Sequence, residues 1–143
     1  MAVVVATAQH RDELRKALTP EQAAHDKLRF FDAGEQLSKF MVKDWPSELR
    51  FRNVVGGMIG QARQTGPIRI FGEMVAVLWA DGSTRAAIRL EELWNKFATE
   101  QPSSRLCAYP LGKVSGKEVL DSVLAISPIA YAYTYSITHQ CPS

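Results

Sequence analysis

Two carboxylates, Asp32 and Glu73, each end a short apolar run: Leu28-Arg29-Phe30-Phe31-Asp32-Ala33 and Ile68-Arg69-Ile70-Phe71-Gly72-Glu73. Acids brought to one edge of a sheet can exchange protons with a ligand or hold a divalent metal. The competing structural reading is that each acid caps the helix after its strand, where the helix dipole favours negative charge. Glu73 has a further feature, because Gly72 beside it lets a ligand or a backbone come close. Aromatic residues offer a different chemistry. Trp79 and Trp94 suit the lining of an apolar small-molecule pocket, although Trp94 also falls on the apolar stripe of its helix, where a core role explains it. Trp45 stands before Pro46 in a break and packs the loop.

Other site chemistries find little support. His10, His25 and His139 lack metal-ligand spacing. The two cysteines, Cys107 and Cys141, lie far apart and form neither a CxxC pair nor a disulfide framework. Cys107 falls inside a predicted buried strand, where a thiol is inert by default. The patterns GxxxxGK[ST], GxGxxG, GxSxG and HExxH do not occur. Leu111 to Lys117 holds two Gly-Lys pairs without phosphate-loop spacing, and a capping box over Ser115-Gly116-Lys117-Glu118 explains it better. No nucleophile sits with a base in any recognisable constellation. The expectation is therefore a protein that is not an enzyme and needs neither metal nor cofactor.

The elements that position these residues follow from hydrophobic pattern. Val3 to Thr7, Leu28 to Ala33, Ile68 to Glu73 and Leu106 to Tyr109 read as strands buried on both faces. Between them lie helical patterns. The first carries Leu14, Ala17 and Leu18, and Thr19-Pro20-Glu21-Gln22 restarts helix. Gly34 to Val42 reads as a short helix and Asp44-Trp45-Pro46 as a break. Ser47 to Gln64 has a stripe of Phe51, Val54, Val55, Met58 and Ile59, with Gly56, Gly57 and Gly60 permitting close approach to the sheet. Met74 to Ala80 follows, then a helix capped by Ser83 or Thr84. Val119 to Leu124 reads as a last helix and Ile129 to Thr138 as a last strand. Strands alternating with helices predict an α/β fold with a mainly parallel sheet in a three-layer sandwich. In such sheets ligands bind beyond the carboxyl ends of the strands. Those ends are Thr7 with Gln9 and His10, then Asp32, then Gly72-Glu73-Met74, then Tyr109-Pro110.

The chain has 143 residues, 46% of them hydrophobic, with 17 basic and 15 acidic side chains. That is one domain, 1–143, able to bury a core. A net charge of +2 is too weak to argue for nucleic acid or an anionic membrane. Charges interrupt every apolar run well short of the roughly 20 residues a span needs. The first residues are apolar but lack the basic start of a signal peptide, so the expected location is the cytoplasm.

Several motifs, taken in order, resemble those of the MEDS family, named for methanogens, methylotrophs and the sensory domain of a dichloromethane-responsive regulator. They are Asp32-Ala33, Phe40-Met41-Val42, Asn53 to Ile59, Phe71 to Gly82, Arg89 to Asn95 and Leu106-Cys107-Ala108-Tyr109-Pro110. The likeness spans about residues 2–112. It implies a sensory input domain acting in signal transduction or transcriptional regulation, with small hydrocarbon derivatives as ligands. The output partner it implies is a histidine kinase or regulator module, in the same chain or another. The implied fold resembles a RecA/KaiC-like core without a phosphate loop. Ligand-binding residues expected on the combined reading are Asp32, Glu73, Trp79, Trp94, Cys107 and Tyr109; Glu91 belongs to the same motifs. Family members are expected to carry more sequence before the strand at Ala2. Without that segment, a sheet edge needs covering by a partner chain such as a second copy in a homodimer. The tail 113–143 diverges. The alternatives are a degenerate nucleotide-binding domain of RecA/KaiC type, a small enzyme using Asp32 and Glu73, and a protein-interaction module.

Overall fold

The computed structural model describes residues 1–60, 68–100 and 103–107, with the backbone alone at 104, 106 and 107. The first strand, β1 (Ala2–Ala6), contains three consecutive valines, whose stiff β-branched side chains favour extended backbone. It lies inside a four-stranded parallel sheet. Its neighbours are β2 (Leu28–Asp32) on one side and β5 (Arg69–Gly72) on the other, with β6 (Ser104–Cys107) beyond β5. Val4 faces Phe30 of β2 and Phe71 of β5 in register, and Ala6 faces Asp32.

Alternation along β1 divides the sheet into two faces. Val3 and Val5 join the main core with the helices α3 (Ala33–Phe40), α4 (Glu48–Gly60), α5 (Met74–Ala80) and α6 (Thr84–Glu100). In α6, Ala86, Ala87, Leu90, Leu93, Trp94 and Phe97 recur at helical spacing, and all are buried. Phe51 of α4 is the hub of this layer. Its ring meets Phe40, Trp94 and Phe97 edge to face, with centroids 5.4, 5.1 and 6.1 Å away, the geometry that ring quadrupoles favour. The opposite face, marked by Val4 and Phe30, meets α1 (Ala8–Ala17): the Arg15 guanidinium lies 4.6 Å from the centre of the Phe30 ring. The result is the expected α/β arrangement, with the sheet between helices.

Several details depart from the sequence reading. The apolar face predicted for α1 is not buried; none of its residues is, and Leu14 is exposed. The short α2 (Pro20–Ala23) does carry the Thr19–Gln22 capping box. The predicted helix through Val42 stops at Phe40, and the break after it is a hairpin of β3 (Met41–Val42) and β4 (Trp45–Pro46). Its turn residues Lys43 and Asp44 have φ of 47° and 63°. Two successive positive φ values suit a tight hairpin turn, but the pair lacks the Gly that advertises one. Close approach of Gly56, Gly57 and Gly60 to the sheet is not observed: a Cβ at any of them would meet nothing within 4 Å. The end of the helix beyond Gly60, the helix over 119–124 and the strand over 129–138 lie outside the described residues.

Candidate functional site

The order β2-β1-β5-β6 runs outward from β1 in two directions, so the chain reverses its winding between β1 and β5. In such sheets ligands usually bind beyond the carboxyl ends of the two strands at this reversal. Thr7 and α1 leave β1 at that point, and Glu73 and α5 leave β5.

Glu73 is 4% exposed and sits just before α5 with φ −119° and ψ 6°. Its side chain does not cap that helix. It turns instead toward β1, where Oε2 accepts the Thr7 backbone N–H at 2.9 Å. Its own N–H donates to Val5 O, also at 2.9 Å. The other carboxylate oxygen, Oε1, meets Nδ1 of His10, on the first turn of α1. An ionised carboxylate can only accept, so against one Nδ1 is the donor in this contact.

Asp32 stands across β1 from Glu73. Its Oδ1 accepts Glu35 N–H at 2.9 Å and caps α3. Its Oδ2 takes Arg11 Nη2 at 2.7 Å. The capping role anticipated for both acids therefore holds for Asp32 and fails for Glu73. The two carboxylates share an edge, each engaged by a neighbouring side chain of α1. His10 was visible in the sequence as a strand-end residue. Arg11 gave no such signal, because its partner lies 21 residues away.

The other expected site residues are placed less uniformly. Backbone pairing sets Cys107 opposite Gly72, at the same edge, and Tyr109 lies outside the described residues. Trp79 is buried in α5, and its indole N–H has no hydrogen-bond partner among the described residues. Trp94 packs edge-on against Phe51 and Phe97 within the helical layer. Glu91 is fully buried in α6. Among the described residues no group of three or more His, Cys, Asp or Glu could hold a metal ion. An open hollow of about 450 Å³ lies at the amino ends of the strands, bounded by Met1, Ala2, Gln22, His25, Lys27, Leu28 and Arg69.

A histidine oriented by a buried carboxylate can take up or return a proton, or hold a hydroxyl or carbonyl group by a hydrogen bond. The adjacent Arg11 adds a fixed positive charge. Among the described residues no helix is long and apolar enough to cross a membrane. Compared with known proteins, residues 1–125 match the family model described as MEDS, methanogen/methylotroph, DcmR sensory domain. This extends past the residues 2–112 that carry the motifs. No curated protein and no solved structure matches the chain.

Proposed function

The chain belongs to the MEDS family of sensory domains, and from that premise we propose that it senses a small hydrocarbon derivative at the carboxyl edge of its sheet. The observation that carries this reading is the contact of Glu73 with both His10 and the Thr7 backbone at the reversal between β1 and β5. Those bonds tie the start of α1 to the start of α5. A ligand whose polar group competes for His10 or Arg11 changes how α1 is held. Because α1 buries none of its own residues, little packing opposes its movement. The domain thus converts occupancy into a displacement of α1, which a histidine kinase or regulator module reads, in the same chain or another. Asp32, Glu73 and Cys107 stand at the edge of the proposed site, Trp79 and Trp94 support it from the helical layer, and Tyr109 is a further proposed ligand-binding residue.

The test is a thermal-shift screen of the full chain against small halogenated and oxygenated hydrocarbons, with ATP and GTP alongside. Saturable stabilisation by one hydrocarbon derivative is expected. Glu73→Gln should reduce that response at least tenfold in ligand concentration while the variant stays folded. Stabilisation by nucleotide alone would replace this reading with the degenerate nucleotide-binding one. A ligand response unchanged in Glu73→Gln and in His10→Gln would remove the site from this edge.

A further inference from the structure

The open hollow at the amino ends of the strands, about 450 Å³ in volume, plays no part in the reading above. Its size falls within the range of small-molecule sites. Three strands meet there in register: Ala2 of β1 pairs with Leu28 of β2 on one side and with Arg69 of β5 on the other. Two strand spacings, about 10 Å, separate the backbones of Leu28 and Arg69. Ala2 and Leu28 give the wall partly buried apolar surface, and Lys27 and Arg69 give it two exposed cations.

The acceptors along this wall are already engaged. The Met1 carbonyl accepts Arg69 N–H at 2.9 Å, and the Lys27 carbonyl accepts Ala2 N–H at 2.7 Å. The carbonyls of Gln22 and His25 accept the N–H groups of His25 and Leu28. The side-chain oxygen of Gln22 accepts Thr19 N–H at 3.0 Å in the capping box, which leaves the amide nitrogen as a donor. No Asp or Glu among the described residues lines the hollow. Neither the Lys27 ammonium nor the Arg69 guanidinium has an ion-pair partner among those residues. Asp26, next to the wall, lies against His25 at 3.1 Å, so the uncompensated charge is that of Lys27 and Arg69.

We propose that this hollow binds a small organic anion, a carboxylate or phosphate group carried on an apolar body of a few carbons. Water screens a single exposed cation. Two cations on one concave wall act together to raise the local concentration of anions. The apolar surface of Ala2 and Leu28 between them gains from being covered by hydrocarbon. A neutral hydrocarbon receives only the second contribution, an inorganic anion only the first, and a cation is repelled. This inference does not rest on the ligand proposed for the carboxyl edge.

The experiment is an NMR titration of the full chain at constant ionic strength with hexanoate and with hexyl phosphate, hexanol and inorganic phosphate serving as controls. Saturable amide shifts centred on Ala2, Leu28 and Arg69 are expected with at least one of the two organic anions, at a Kd at least fivefold below that of either control. The tighter of the two names the anionic group. The Lys27 and Arg69 side chains are exposed, so Lys27→Gln and Arg69→Gln should fold, and each should raise Kd at least threefold. Added salt should also weaken binding in the native chain. The absence of saturable shifts, equal binding of hexanol or inorganic phosphate, unchanged binding in both variants, or shifts confined to the carboxyl edge around His10 and Arg11 would each overturn the proposal.

Discussion

Two groups of charged side chains join distant parts of the chain, and they differ in what surrounds them. At the carboxyl edge, Glu73 is almost fully buried and accepts from Thr7, 66 residues away. Between α4 and α6, Glu48 takes Lys96 at 2.5 Å and both Arg52 and Arg89 at 3.4 Å. Arg52 also forks onto Glu100 with contacts of 2.6 and 2.7 Å, the bidentate geometry that suits a guanidinium and a carboxylate. The helix-surface group has more ion pairs. Water reaches its members, however, with Glu48 33% exposed and Glu100 41% exposed, and solvent screening leaves such pairs little net effect. The edge group has fewer contacts, but one satisfies a backbone N–H at a strand end, where a lost partner is costly. Counting ion pairs would therefore rank the two groups wrongly.

Glu73→Ala sharpens that contrast most. It strands the Thr7 N–H and separates α1 from α5, and should destabilise the chain by about 2 kcal/mol in urea unfolding. Asp32→Ala should cost less, about 1 kcal/mol, because it removes a helix cap and a half-exposed partner of Arg11. Glu100→Gln should have the smallest effect, vanishing in 1 M salt. A loss for Glu100→Gln as large as that for Glu73→Ala would break the comparison.

The helix-surface group also makes a pH prediction. A hydrogen bond from Arg52 holds the Glu100 carboxyl below its ordinary value of 4.5, with burial opposing and the Arg52 and Lys96 charges assisting. The Lys96 hydrogen bond acts likewise on Glu48. A depressed folded pKa means that the carboxylate stabilises the fold above the unfolded value and ceases to do so as pH falls through the folded one. The Tm difference between the native chain and Glu100→Gln, small at neutral pH, should disappear as the medium is acidified below 4.5. A difference that grows in acid would contradict the sign.

Much of the frame was legible in local pattern. The valines of β1 and the stripe of α6 state their elements directly, because period-2 and period-3.6 burial leave different marks. Asp32 and Glu73 were placed on one edge correctly, since parallel strands all end on the same side. What local pattern missed depends on partners far along the chain. The hairpin at Lys43–Asp44 is held by pairing of Met41 with Pro46 rather than by a glycine turn. Leu14 in the exposed α1 and Leu18 just beyond its end stand at helical spacing, yet spacing alone cannot say how closely a helix packs.

The sequence by itself determined the α/β class, the ends of β1, β2 and β5 to within a residue, and the absence of familiar phosphate-loop or triad motifs. Tertiary structure decided what each strand-end acid does. Asp32 and Glu73 both precede helices, and a local rule treats them alike. Only the meeting of β1 with β5 brings His10 and the Thr7 N–H within reach of Glu73, so one acid caps its helix and the other binds across the sheet. A side chain takes the strongest donors within its reach, and which donors those are depends on contacts 63 and 66 residues apart.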